Sequence, residues 1–396
     1  MVDLAILAGV VAAGGVLAWP SLAHAPLWRA TITPLASIIG SGFLVLGPIL
    51  VINFGAYAPL VMLGLCALAY AFGGAIRFNI ARIDDAEPRS ALAEGIERGA
   101  SAVLAFAYVI SVAYYLNLFG AFGVSLTSVN DAYHARLLTT GVFLVILATG
   151  WTRGFSALER MEQVSVGVKL SIIVGLLAGL GLYFAETAQA GKLVLNAPKL
   201  AGWQAITLAA GLIVTVQGFE TSRYLGQTYD AAMRIRSMKI AQGVSSLIYL
   251  LYILLLAYAF DASVMELTET SIIDLMEVVA PILSALLVAA ALSAQFSAAV
   301  ADTSGSGGLF SELSGGRVSP RAAYTGLVVI GLTLTWAADV FQIISYASRA
   351  FAVYYAIQTS IAAVSAQKSG QSLKAVLFAA ISVVAALATV FGTAVE

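Results

Sequence analysis

Apolar residues in this chain run in long unbroken blocks, with polar residues confined to short intervals between them. Twelve blocks stand out, near residues 4–19, 31–53, 57–77, 99–127, 135–151, 162–184, 203–225, 240–260, 276–301, 322–338, 340–364 and 373–392. Most approach or exceed the about 20 apolar residues that carry a helix across a bilayer. The pattern predicts an all-α polytopic membrane protein with about 12 transmembrane helices joined by short loops.

Two blocks are interrupted in the middle. The second holds Ile38-Ile39-Gly40-Ser41-Gly42-Phe43, with Pro48 about two turns further on. Two glycines cost a helix on the order of 1 kcal/mol each against alanine, and serine adds a competing hydroxyl. Backbone broken at membrane depth has to be buried in protein or line a cavity, because lipid offers no hydrogen bonds. The stretch therefore reads either as a binding site or as a place where small residues let helices pack closely. The seventh block holds Val216-Gln217-Gly218-Phe219-Glu220-Thr221-Ser222-Arg223, and its apolar part, 206–216, is too short to cross alone. It is the sixth block counted from the Gly-Ser-Gly block. Breaks at matching positions in two halves are a pointer to a transporter binding site. Five helices per half is an odd number, so the two halves would have opposite topology. The matched position moves the balance toward binding.

Charge tests the span count. If the Gly-Ser-Gly helix runs from cytoplasm to outside, cytoplasmic segments hold 15 of the 20 Lys and Arg, from Arg29 to Lys374. Outside segments hold only Arg136, Lys192 and Lys199, while Lys169 and Arg349 lie within spans. That asymmetry obeys the positive-inside rule. The first block is followed by Ala23-His24-Ala25, which resembles a cleavage site, but Asp3 precedes it without any Lys or Arg. The sign is wrong for a signal peptide, so a retained extra helix is expected.

Composition sharpens the class and excludes others. The chain has 396 residues, 60% hydrophobic and 10% charged, against about 25% charged in a soluble domain. A net charge of -1 gives no sign of nucleic acid, and the single Cys66 gives no disulfide framework. The only histidines, His24 and His134, fall at predicted membrane edges. No phosphate-binding G-x-x-x-x-G-K-[ST] and no H-E-x-x-H occurs. The expectation is a non-enzyme without cofactor or metal, whose partners are a small-molecule substrate and the lipid bilayer.

Three motifs together carry a resemblance. Ile38-Ile39-Gly40-Ser41-Gly42, Gly218-Phe219-Glu220, and the segment Ala298 to Pro320 with Gly307-Gly308-Leu309-Phe310-Ser311-Glu312-Leu313 resemble the amino acid–polyamine–organocation (APC) superfamily permeases. The resemblance spans about Thr31 to Gln367. It implies a LeuT-type (leucine-transporter-type) 5+5 inverted-repeat core and alternating access. The division would be an extra helix over 1–26, repeats over 27–185 and 200–367, and a last helix over 368–396. The function expected with it is a secondary active transporter for a small organic solute, an amino acid or related zwitterion, sodium-independent and either proton-coupled or an exchanger, in a bacterial inner membrane. The alternatives are an ion or inorganic-solute transporter on the same fold and a non-transporting membrane receptor or structural subunit. Two departures bear on the substrate. After Glu220 the family's Asn-Pro is missing, and Arg349 stands inside a span.

The candidate site follows. Ile39, Gly40, Ser41 and Gly42 end a half-helix whose N–H groups and positive dipole end suit a carboxylate. The resemblance pairs them with carbonyls at Gln217 and Gly218, which would hold an ammonium, and with Phe219. Lys169 either snorkels to the interface or, as the resemblance implies, replaces a sodium ion between the first and eighth core helices. Glu220 either pairs with Arg223 three residues on or serves as a gate or proton relay. Arg349 lies about 15 Å deep at 1.5 Å per residue from Asp339. It either pairs with Glu220 or Asp302, or binds an anionic substrate group. Tyr108, Tyr114, Tyr115 and Tyr346 are aromatic cavity candidates, with Asn117 and Ser297 behind them.

Overall fold

A computed structural model describes residues 2–40, 42–83, 91–152 and 156–395. Ser41, Arg89 and Arg153 lie outside the described residues. Every apolar block is occupied by helix. The elements are α1 (Val2–Leu17), α2 (Pro20–Ala23), α3 (Pro26–Ile38), α4 (Gly42–Phe54), α5 (Ala58–Ile83), α6 (Ala91–Val124), α7 (Ala132–Thr152) and α8 (Ser156–Gln189). They continue as α9 (Gly202–Gly211), α10 (Ala231–Ala259), α11 (Ser271–Val279), α12 (Pro281–Leu313), α13 (Pro320–Ala337), α14 (Val340–Lys368) and α15 (Ser372–Phe391). Short 3₁₀ segments cover Ile213–Val216 and Phe219–Gln227. Among the described residues, seven helical stretches are long and apolar enough to cross a membrane. The chain is an all-helical, multi-pass integral membrane protein.

Local chemistry sets the helix ends. Asp230 caps α10 by accepting from Met233 N at 2.7 Å. Asp339 and Gln342 form a capping box at the start of α14. The expected single block 276–301 is corrected to two helices. Pro281 has no N–H to continue α11, so the chain turns at Ala280 and restarts as α12. The helix then runs on to Leu313, beyond the apolar block.

Pairings repeat across the chain. α6 packs on α12, α5 on α10, and α7 on α13. α8 contacts α12 and α3, while α14 contacts α6 and the segment Ile213–Val216. The extra helix α1 lies on α8, where Gly175 faces the Ile6 carbonyl and Gly9 approaches Gly175. Small residues there allow the close backbone approach that substitutes for a hydrophobic driving force in lipid. α15 packs along α14.

Candidate functional site

The first break separates α3 from α4. α3 closes with Ile39 N donating to Leu35 O at 3.0 Å and Gly40 N donating to Ser37 O at 3.2 Å. Gly40 is therefore not among the free donors, and the amides aimed into the break are those opening α4 from Gly42 onward. The last carbonyls of α3 are met by two side chains. Lys169 Nζ donates to Ala36 O at 2.8 Å, and Tyr249 Oη donates to Ile38 O at 2.7 Å. An ammonium at a helix C-terminus is where the dipole favours it. Lys169 is buried, so it does not snorkel. Pro48 inside α4 cannot bond the Leu44 carbonyl, and Tyr252 Oη of α10 donates to that carbonyl instead at 3.0 Å.

The second break crosses the first. α9 ends at Gly211, Gln217 is extended, and Gly218 adopts φ 116°. A Cβ at Gly218 would lie 2.6 Å from Ile38 N and from the Ser37 carbonyl carbon, and one at Gly42 would lie 2.6 Å from Thr215 Cβ. Only glycine serves at Gly218, for both conformation and space. The same Tyr249 hydroxyl lies 2.9 Å from Thr215 O, so its single proton is shared between carbonyls of the two breaks. Ser348 Oγ of α14 accepts from Val214 N at 3.0 Å. Gln217 Nε2 donates to Tyr115 Oη at 2.9 Å, leaving its Oε1 without a hydrogen-bond partner among the described residues. The Gly218 carbonyl accepts from Thr221 Oγ1 at 2.7 Å.

Glu220 is buried directly below this crossing. Its Oε2 accepts from Gly218 N and from Tyr355 Oη, both at 3.0 Å, while Oε1 has no hydrogen-bond partner among the described residues. The expected Glu220–Arg223 pair is corrected: Arg223 is ion-paired with Glu97 of α6. In the 3₁₀ segment side chains three apart eclipse, yet these two are drawn to different helices. Phe219 stacks on Tyr355 at 5.4 Å, and Tyr355 stacks on Phe72 at 4.8 Å. Tyr108 lies edge-on to Phe351 at 6.0 Å. Asp302 of α12 accepts from Ser111 of α6.

Other sequence candidates stand apart. Arg349 pairs neither with Glu220 nor with Asp302, and it does not reach the breaks. Its Nε and Nη2 donate to Gly392 O at 3.0 and 2.6 Å, capping α15. The half-buried guanidinium finds its acceptor in a helix C-terminus, which gathers negative dipole without a carboxylate. Tyr346 is exposed on α14, away from the crossing of the breaks. Asn117 joins α6 to α13 through Thr335 Oγ1 at 2.9 Å, and Ser297 bonds within its own helix.

Space at the breaks is small. The cavity bounded by Ile39, Gly40, Phe43, Lys169 and Gln295 measures about 10 Å³, roughly what one water needs. A far larger hollow of about 680 Å³ lies between α5, α9 and α15. Its wall is apolar and includes the exposed Tyr57, Trp203, Ile206 and Leu387. That apolar surface lacks the polar groups a solute site needs. The crossing itself is closed in this conformation.

Reasoning from the sequence missed Tyr249, Tyr252, Ser348, Tyr355 and the Arg223–Glu97 pair. An aromatic or serine inside an apolar block carries no mark of a distant backbone partner. For Glu97 a signal existed, an acidic residue at the edge of a span.

Interrupted helices that meet inside a multi-pass helical protein are a feature of membrane transport proteins. The family model described as "APC superfamily transporter" matches residues 20–392. An uncharacterized protein of Aquifex aeolicus (strain VF5) is 41% identical over 385 residues, covering 95% of this chain and 93% of its own length. The chain belongs to the APC superfamily transporter family.

Proposed function

We propose that the protein is an alternating-access secondary transporter for an amino acid or related zwitterion, working without sodium. The observation that carries the reading is the crossing itself. Two interrupted helices meet backbone to backbone, and Lys169 donates to the α3 carbonyl at Ala36. An ammonium on such a carbonyl occupies the place where a coupling cation would otherwise sit. The repeated pairings α6–α12, α5–α10 and α7–α13 support a LeuT-type 5+5 inverted-repeat core, with α1 added before it and α15 after it. In that arrangement the amides opening α4 receive a carboxylate. The backbone around Gln217, together with Glu220, receives an ammonium. Glu220 also serves as the proton carrier of the coupling step, since one of its oxygens makes no hydrogen bond among the described residues. The basic loops face the cytoplasm of a bacterial inner membrane.

The test is counterflow of labelled amino acids in liposomes holding the purified protein, with and without sodium and with an imposed pH difference. Uptake independent of sodium is expected, falling by at least about tenfold in Lys169→Ala, as for loss of a charge-assisted bond worth about 1.5–3 kcal/mol. Flux of inorganic ions with no amino acid flux would sink the reading.

A further inference from the structure

We infer that Arg223, Glu97, Gln358 and Asn79 form the gate that closes the basic face of the transport path. The inference deepens the transporter reading and rests on it. Arg223 sits on the 3₁₀ segment Phe219–Gln227, three residues beyond Glu220 and on the side of the Arg-rich loops. Its guanidinium is ion-paired with Glu97 of α6 and donates to Gln358 Oε1 of α14 at 2.8 Å. The same oxygen accepts from Asn79 Nδ2 of α5 at 2.9 Å, and Gln358 Nε2 donates to Glu97 Oε1 at 3.4 Å. Arg234 Nη1 of α10 donates to the Arg223 carbonyl at 3.0 Å. One ion pair and two amides therefore fasten the segment below the second break to four long helices.

Three features make this a gate and not a fixed brace. The element it holds hangs from Gly218, a left-handed glycine next to extended Gln217, and consists of 3₁₀ turns with poorer hydrogen-bond geometry than α-helix. The pair straddles the edge of the buried region, since the Arg223 side chain is 4% exposed and that of Glu97 is 21%. The neighbouring Ser222 is buried, and its hydroxyl has no hydrogen-bond partner among the described residues, so it adds nothing to the ionic attachment that Arg223 makes. A desolvated ion pair suits a two-state closure. Losing one partner strands a buried charge, whereas parting into water lets both ions hydrate. Apolar contacts at the same place would resist wetting instead.

A thiol reporter tests this without any knowledge of the solute. Cys66 is the sole cysteine, so Cys66→Ala with Ser222→Cys carries one thiol just inside the gate. A membrane-impermeant maleimide added to this protein in nanodiscs should label it slowly. Glu97→Gln or Arg223→Gln should raise the rate about tenfold by shifting the closed population. The charge-reversed pair Glu97→Arg with Arg223→Glu should return it most of the way. A control thiol, Ser284→Cys in the Cys66→Ala background, sits near the start of α12 against Ile273 O and should not change. The inference is overturned if folded single variants label at the parent rate, or if both thiols gain reactivity equally. Should the single variants fail to fold, Asn79→Ala keeps the ion pair and removes its brace. It should raise labelling by about threefold, and the parent rate would again overturn the gate. The transporter reading fails separately, by absent counterflow in the wild-type protein, whatever the labelling shows.

Discussion

The hydroxyl of Tyr249 reaches two carbonyls, Ile38 O at 2.7 Å and Thr215 O at 2.9 Å, each at the end of a broken helix. In lipid no water replaces such a bond. Tyr249→Phe should therefore cost about 1–3 kcal/mol, the desolvation penalty of an unsatisfied buried group. It should appear as a melting temperature several degrees below wild type in a fluorescence thermal melt. A melting temperature unchanged within error would show that the hydroxyl holds nothing. Lys169 illustrates what could be read at this scale. That an ionisable group inside a span is functional follows from its cost there. That its partner is the Ala36 carbonyl does not follow, because the contact joins positions 133 residues apart. Arg349 misled for the same reason. Depth alone demanded a partner, and a carboxylate was the natural expectation, yet a helix-end carbonyl fills the role.

At the scale of elements, that guanidinium works as a clasp. Arg349 on α14 holds Gly392 at the end of α15, and Thr393 N then donates to Thr207 O of α9 at 3.0 Å. Gly392 lies against Gly211 N, closing the end of α9. Arg349→Ala should lower the melting temperature and leave the spectrum of transported solutes unchanged. A changed solute preference in competition assays would restore a substrate role for Arg349. The start of α7 gives a pH-dependent element outside the membrane. Asp131 accepts from Tyr133 N and His134 N, both at 3.0 Å, and contacts His134 Nδ1 at 2.7 Å. Bonds from the His134 backbone and ring, with a smaller one from Tyr133, hold the Asp131 carboxyl below its usual range. A depressed folded-state value stabilises above the ordinary carboxylate pKa, about 3.9, and the stabilisation disappears as pH falls through the depressed value. Amide exchange around Tyr133, corrected for intrinsic rates, should be steady from pH 7 to about 5 and rise below about 4. In Asp131→Ala it should be fast throughout, and equal protection in the two proteins would dismiss the cap. The all-helical, multi-pass character and the two helix interruptions were legible, since each depends on composition or spacing over a few residues. The split at Ala280 was not, because one Pro at N1 looks the same whether it starts a helix or bends one.

For the whole molecule, the crossing of the two breaks is closed, with about 10 Å³ beside Lys169, so a solute enters only if elements move. The connections point to which ones. α9 is clasped by α14 and α15 on one side of the Gly218 hinge. Phe219–Gln227 is fastened by Arg223 on the other. α6 and α12 pack against each other. Chain composition by itself determined that this is a polytopic helical membrane protein, because a chain 60% hydrophobic with 10% charge has no other place to fold. Spacing determined that two helices break at matching positions, because glycine and polar residues weaken a helix wherever they fall. Only the tertiary structure decided that the breaks touch, that Tyr249 and Lys169 satisfy the exposed carbonyls, and that Arg223 turns from Glu220 to Glu97. Hydrogen bonds across 34 to 211 residues are set by how whole helices cross, and no local pattern records that.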